Sequence, residues 1–396
     1  MPIPSPFHQR TRALCESYRW KDWAGYYAVC SYDTTHDKEY FAFRESTGLL
    51  DVTPLYKYEV WGSDAEALLS RMMVRDVGKL AVGRVGYTAW CDDAGKMVDD
   101  GTVTRLDEDY YRVTAADPTF HWLERLANGM EVTIEDSSRR LGALAVQGPT
   151  SREVLKQVTD IDLDALRFFA AARGSLDGRG VWITRTGFTG DLGYEVWCEN
   201  DDALPVWDAL IDAGGAFGLR PAGLDALDMT RIEAGFILLG CDYFSAPKVV
   251  LESRKSTPYE LGLGWMVHLD RDPFVGQAAL RREKAAGSTW SFVGLELDWP
   301  ELERLYDRHG LPPRLPAAAS RQPLPVYLGD EQVGQATSHT FSPILKQAIA
   351  LASVEAEHGA AGTRLEIEHT VEFERHRVTA AVRSLPFFDP ERKRKP

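Results

Sequence analysis

The chain has 396 residues, of which 44% are hydrophobic and 26% charged, and its 59 acidic against 45 basic side chains give a formal net charge of −14. That length allows two or three domains, each able to bury its own core. The acidic balance argues against a general affinity for nucleic acid or anionic membrane, since both need positive surface. Five scattered cysteines, Cys15, Cys30, Cys91, Cys198 and Cys241, make no CxxC pair and read as reduced thiols. The nine histidines show no metal-like spacing, so no metal is expected. No apolar run approaches the ~20 residues of a membrane helix, and the amino terminus MPIPSPFHQR has no signal-peptide core. The expectation is a cytoplasmic protein.

From Phe43 to Thr119 a stretch at helical spacing, Ser63 to Met73, alternates with short strands at Tyr58 to Trp61 and Tyr110 to Thr114, an α+β pattern. Asp92-Asp93-Ala94-Gly95 reads as a hairpin turn feeding a strand. Side-chain alternation there puts Asp99, Gly101 and Val103 on one face and Val98, Asp100 and Thr102 on the other. Val181 to Thr184 and Val196-Trp197 read as strands around a glycine-rich turn. Leu204 to Phe217 is helical in pattern, and Pro221 to Leu239 reads as a longer helix with Met229, Ile232 and Phe236 on one face, interrupted only by Gly235. Trp299 to Pro325, rich in proline, charge and small residues, looks like a long excursion. Val326 to Leu328, Glu331 to Thr337, Ala348 to Val354, Arg364 to His369 and Val378 to Val382 read as the strands of a small β-barrel. The tail from Pro390, PERKRKP, reads as a solvated, disordered basic end.

The stretch that narrows function is Thr186 to Glu195, TGFTGDLGYE. Gly187, Gly190 and Gly193 let the backbone take positive φ or approach a flat ligand closely. Glu195 enters the second strand with Trp197 on its own face, and its two acceptor oxygens match the two parallel donors of an aminopyrimidine edge. A tight hairpin with a solvated glutamate is the plainer reading of the same residues.

TGFTGDLGYE resembles the TGYTGExGYE signature of the glycine-cleavage T-protein (aminomethyltransferase) family, with departures at Phe188 and Asp191. Further similar blocks follow in family order: FRESTGLLDVTPL from Phe43, GKMVDDGTV from Gly95, LAVQGP from Leu144, GLDALDMTRIEAG from Gly223, LGLGWMV from Leu261, FVGQAAL from Phe274 and FSPILKQAIALASV from Phe341. The resemblance implies a three-part cloverleaf: a folate-binding catalytic region over 1–285 made of two α+β parts, a carboxy-terminal barrel over 286–390, a basic tail over 391–396, and a central tetrahydrofolate channel. It implies that Asp99, the first aspartate of the DD pair, lies beside the reactive N5 and is catalytic, and that Glu195 anchors the pterin. Tyr87 matches a folate-pocket tyrosine, and Arg231 an arginine that organises the channel, although Asp228 three residues earlier also suggests a plain intrahelical ion pair. Phe168 and Phe169 fit an apolar wall for the pterin or its aminobenzoyl ring, or equally a pair of core phenylalanines.

Three departures bear on the reaction. Ala116 stands where T-proteins carry an asparagine, Gly101 stands where they carry a larger apolar residue, and the segment from Cys241 to Tyr259 is longer than their short loop. All three fall near the expected donor side, with Gly101 and Ala116 as substrate-binding positions. The expectation is a demethylase that moves a methyl group from a small N-, O- or S-methylated donor to tetrahydrofolate, with a lipoyl carrier protein an unlikely partner. The alternatives are a true aminomethyltransferase, a folate-binding module without transfer activity, and a folate-independent enzyme on the same scaffold.

Overall fold

The computed structural model describes residues 1–314, 316 and 318–395. Three bodies of sheet carry the chain. The first is antiparallel, with strands in the spatial order Val85–Cys91, Met97–Asp107, Tyr110–Ala115, Tyr56–Trp61 and Thr133–Asp136. One face packs Tyr58, Val60, Tyr111 and Val113 against Leu68, Leu69 and Met72 of the Ala65–Met72 helix. On the Tyr56–Trp61 strand, Lys57 and Glu59 are buried as well, so the other face is covered too. Glu59 accepts from Arg112 at 2.8 Å, and that guanidinium sits 5.8 Å above the Trp197 ring of the second sheet.

The second sheet orders Ala171–Leu176, Arg179–Thr184, Gly193–Glu199, Leu141–Gln147, Thr47–Asp51 and Leu219–Pro221, with only the last pair parallel. Its Leu141–Gln147 strand, LGALAVQ, is buried at every position. Leu144 and Val146 pack on Val206, Trp207 and Leu210 of the Ala203–Gly214 helix. Ala143 and Ala145 pack on Tyr40, Phe43, Ala226 and Met229 of the Asp37–Glu45 and Leu224–Glu233 helices. A strand sandwiched this way reads as a continuous apolar run because neither face is left to water.

The third body is a closed six-stranded barrel running from Trp290–Leu297 to Glu374–Arg383. On the Gln347–Glu355 strand, Ala350, Ala352 and Val354 fill the barrel core, while Ile349 and Leu351 point outward onto Ile232. Period-two alternation thus gives one strand two jobs: closing the barrel and docking it on the Leu224–Glu233 helix.

Four expectations are corrected. The helix expected from Pro221 to Leu239 spans only Leu224–Glu233, because Gly235 takes φ +68° and turns the chain back on itself. The supposed excursion opens with a helix, Trp299–Arg308. Asp298 caps it by accepting from Glu301 N–H, Pro300 sits in its first turn, and Leu302, Leu305 and Tyr306 face Val371 and Val378. The barrel gains Trp290–Leu297, which the strand pattern missed.

The fourth concerns the tail, which is docked rather than solvated. Arg392 pairs with the buried Asp191 through two hydrogen bonds of 2.6 and 2.7 Å, Lys393 is buried with its ammonium 5.0 Å from the Phe236 ring, and Arg185 donates to the carbonyls of Arg392, Lys393 and Lys395. Among the described residues no helix is long and apolar enough to cross a membrane.

Arg392, itself exposed, closes off a larger charge cluster whose other members are buried. Arg44 binds Glu233 through Nε at 2.8 Å and Nη2 at 2.6 Å, lies 3.7 Å from Asp191, and donates to the Thr189 carbonyl. Glu233 in turn accepts from Tyr40 and from Ser342 of the barrel. Two cations and two carboxylates therefore join a helix of the second body, the TGFTGDLGYE turn, the barrel and the tail. Replacing Arg44 by Met leaves Glu233 buried without its cation, and breaking such a pair costs about 3–5 kcal/mol. Denaturant unfolding should show the loss as a lowered midpoint. An unchanged midpoint would mean that the cluster does not hold these bodies together.

Candidate active site

The Met97–Asp107 strand slips register against Val85–Cys91 at Val98: Trp90 faces Asp99, whereas Cys91 faces Met97. A bulge of this kind re-aims the side chains beside it. Asp99 is fully buried. Its Oδ2 accepts the backbone N–H groups of Ala116 at 3.0 Å and Asp117 at 2.9 Å, and its Oδ1 that of Asp100 at 2.8 Å. Asp100 accepts the Tyr87 hydroxyl at 2.7 Å and the Tyr243 hydroxyl at its other oxygen, and Tyr243 also lies 3.3 Å from Asp99 Oδ1. The two carboxylates were expected on opposite faces. They converge on one phenol although the ladder is regular from Asp99 onward, because the Asp99 carboxylate turns back along the strand to accept the Asp100 N–H.

Burial, then the neighbouring Asp100, pushes the Asp99 carboxyl well above the usual carboxylate range, against the pull of the N–H groups of Asp117 and Asp100. Asp100 is raised by burial and pulled back by the two tyrosine hydroxyls. Burial and the adjacent carboxylates likewise push Tyr87 and Tyr243 upward. A second negative charge in this cluster is therefore disfavoured, and the pair holds a proton readily. Such a site can bind a cation or move a proton.

Tyr243 was missed by sequence reasoning. It lies in the segment Cys241 to Tyr259, noted only for its length, and the same segment supplies Lys248, which pairs with Asp117 at 2.6 Å, and Ser256, whose carbonyl accepts Met97 N–H. Arg231 holds the start of this segment. It binds Asp228 at 2.7 Å and Asp242 at 2.6 Å and is 1% exposed. Asp242 also accepts from Thr337 and Ser338 of the barrel. Expected as a cofactor ligand, Arg231 is a buried brace. It sets the position of Asp242, and so of Tyr243 beside it.

The room expected over Gly101 is absent: a Cβ there would stand 1.9 Å from the Thr114 carbonyl oxygen, so glycine is required by a neighbouring strand and not by a donor. Ala116 contributes through its backbone N–H, which binds Asp99 whatever side chain the position carries.

Glu195 is half-buried on the Gly193–Glu199 strand, opposite Thr184. Its Oε2 accepts from Thr186 at 2.9 Å and Thr184 at 3.4 Å, and Trp197 donates its indole N–H to Thr184. Among the described residues Oε1 has no hydrogen-bond partner. Burial raises this carboxyl. Gly187 and Gly193, expected to admit a flat ligand, make way for the Gln147 amide, which would lie about 2 Å from a Cβ at either position (1.9 and 2.1 Å). That amide donates to the carbonyls of Thr186 and Tyr194 and so fixes the turn.

Phe168 and Phe169 meet edge to face at 4.7 Å where the edges of the two sheets join. Phe169 donates its N–H to the Arg185 carbonyl and accepts from Val85 N–H, with φ +56°. A bulky residue in this left-handed region is strained and must be held there by its surroundings. Both rings are half-buried and lie two residues along the bridge from Tyr87. Trp265, 61% exposed, lies 6.4 Å from the Tyr87 ring and under the Arg75 guanidinium.

The chain matches the GCVT N-terminal domain over residues 7–271 and the glycine cleavage T-protein C-terminal barrel domain over residues 308–389. An aminomethyltransferase of Bacillus subtilis is 35% identical over 89% of this chain and 90% of its own length. A trimethylamine-oxide aldolase of Ruegeria pomeroyi is 36% identical over 98% of this chain and 47% of its own length, so the chain spans about half of that relative. The crystal structure of glycine cleavage system aminomethyltransferase T from Bartonella henselae matches with a TM-score of 0.81 at 23% identity, covering 98% of this chain and 99% of that one; it shows the same fold. These likenesses define an enzyme that transfers one-carbon units. The chain belongs to the glycine-cleavage T-protein family.

The raised carboxyls set a pH dependence. Because their folded pKa values lie above the unfolded ones, the stability that the protonated pair contributes is fully present below the ordinary carboxylate range and is lost as pH rises through the raised values. Asp100→Asn removes the neighbouring charge and lets Asp99 ionise at lower pH. Denaturant midpoints measured from about pH 5 to pH 8 should then decline less steeply in the variant than in the parent. An equal slope would show that the two carboxyls do not share their titration.

Proposed function

We propose that this enzyme moves a one-carbon unit from a small methylated donor, a methylated amine or amine oxide before an ether or sulfonium compound, to N5 of tetrahydrofolate. The observation that carries the reading is the convergence of Asp99 and Asp100 on Tyr243, with Tyr87 on the other oxygen of Asp100; Tyr243 comes from the segment read as longer than that of T-proteins. Tetrahydrofolate, when bound, supplies the nucleophilic nitrogen that accepts the one-carbon unit.

The residues fit it at both ends. Glu195 has one oxygen that meets no partner among the described residues, and its other oxygen is fixed by two threonines, so it is set to accept the donor pair of an aminopyrimidine. Phe168, Phe169 and Tyr87 offer a ring wall between the two sheets. At the other end the Asp99–Asp100 pair attracts a cationic nitrogen, and its charge is worth more in a buried site than in water. Tyr243 can pass its proton to a leaving heteroatom, with Asp100 in hydrogen-bond contact to restore it. The amine oxide preference has support in the Ruegeria relative, a trimethylamine-oxide aldolase.

A second reading, an aminomethyltransferase working on a lipoyl carrier protein, is favoured by the Bacillus relative, which this chain covers at 90% of its length. The room at Gly101 that spoke against it does not exist.

Calorimetry should show tetrahydrofolate binding, weakened in Glu195→Gln by about 1.5–3 kcal/mol, the range for a hydrogen bond to a charged group. No binding by the unaltered chain would end the folate reading. Turnover of trimethylamine N-oxide and methylated amines, lost in Tyr243→Phe with folate affinity kept, is the expected outcome of a donor panel. Ammonia and methylenetetrahydrofolate released efficiently from an aminomethyl-lipoyl carrier protein would favour the second reading.

A further inference from the structure

We propose a transition-metal site on the barrel, built from His309, Glu374 and His376, that takes a zinc-class divalent ion and clips the end of the Trp299–Arg308 helix to the last hairpin. The spacing of the histidines gave no sign of it, because the fold brings together residues far apart in sequence. His309 is the C-cap of that helix, and Glu374 and His376 open the Glu374–Arg383 strand, where alternate positions share a face. One ligand atom from each of the three residues lies within 4.8 Å of the others. The His309 and His376 rings stand 5.4 Å apart at 68°, and His376 Nε2 is 3.8 Å from Glu374 Oε2.

That Nε2 is itself buried and, among the described residues, has no hydrogen-bond partner. A buried polar nitrogen left unpaired is costly, and an ion seated between the three side chains would satisfy it. Neutral imidazole is the form that binds metal. Two imidazoles and one carboxylate suit zinc, with a fourth place for water, and do not suit calcium or magnesium, which take oxygen ligands. The helix already rests on this hairpin through Leu302, Leu305 and Tyr306, so the ion would tie down the exposed end of an existing contact.

The test uses the full chain stripped with EDTA. Zn²⁺ titrated by calorimetry should saturate at one ion per chain and raise the thermal midpoint, and Co²⁺ should give the intense visible bands of a four-coordinate site. His309→Ala and His376→Ala, with circular dichroism and metal-free midpoint unchanged, should each weaken Zn²⁺ binding more than about 10-fold, the cost of losing even an outer-shell partner. His358→Ala, in the separate Glu355, Glu357 and His358 group, should leave it unaltered. No saturable binding by the parent chain, binding untouched in both His309→Ala and His376→Ala, or binding lost in His358→Ala would each overturn the site.

Discussion

The ion pair between Arg231 and Asp242 is the interaction on which the site depends. Its energy alone is not the reason: a buried pair repays little more than its own desolvation, and its worth is in direction. Arg231 is fixed on its helix by Asp228, which also takes the exposed Arg321 from the barrel's approach, so the two buried carboxylates are balanced by one buried and one exposed cation. Asp242 must then sit where Arg231, Thr337 and Ser338 can all reach it. Tyr243 follows from that placement, since one residue of chain separates the brace from the acid cluster. The barrel thus acts on the chemistry without touching it.

The same logic repeats at the other end. The buried Arg44, Glu233 and Asp191, with the exposed Arg392 closing them off, form a second neutral set of charges, and the TGFTGDLGYE turn is held between it and the Gln147 amide. Glu195 leaves that turn on a strand whose register with Thr184 fixes one carboxylate oxygen and leaves the other, among the described residues, without a partner. A charge cluster thus stands behind each of the two carboxylates, Asp99 and Glu195.

Much of this was legible in sequence, and the failures share a cause. Strands with alternating or continuous apolar runs, such as Tyr110–Ala115 and Leu141–Gln147, were readable because burial follows period. Asp99, Glu195 and Tyr87 were found through resemblance, and the structure puts Asp99 and Tyr87 in one cluster. Tyr243 was not legible, because the segment that carries it has neither period nor motif and gains meaning only from what it lies against. Gly101 was misread for the opposite reason: a glycine in a strand announces a close approach, but the sequence does not say of what. The tail was misread because a run of lysine and arginine shows its charges and conceals their partners.

The glycines of TGFTGDLGYE show how a motif can identify a site for reasons beyond those first given. The expected reasons were positive φ, which Gly190 takes, and the approach of a ligand. The structural ones are the Gln147 amide at Gly187 and Gly193, and a left-handed turn against Ala234 at Gly190. Each of these demands glycine, so the residue pattern cannot separate them. What the packing adds is a consequence for specificity: the turn is rigid before any ligand arrives, held by an amide and by Arg392 on Asp191. A preformed carboxylate pays little ordering cost on binding. A ligand at Glu195 would thus meet a partner already in place, whereas Tyr243 and Lys248 reach the Asp99 cluster from a segment, Cys241 to Tyr259, that carries no such motif.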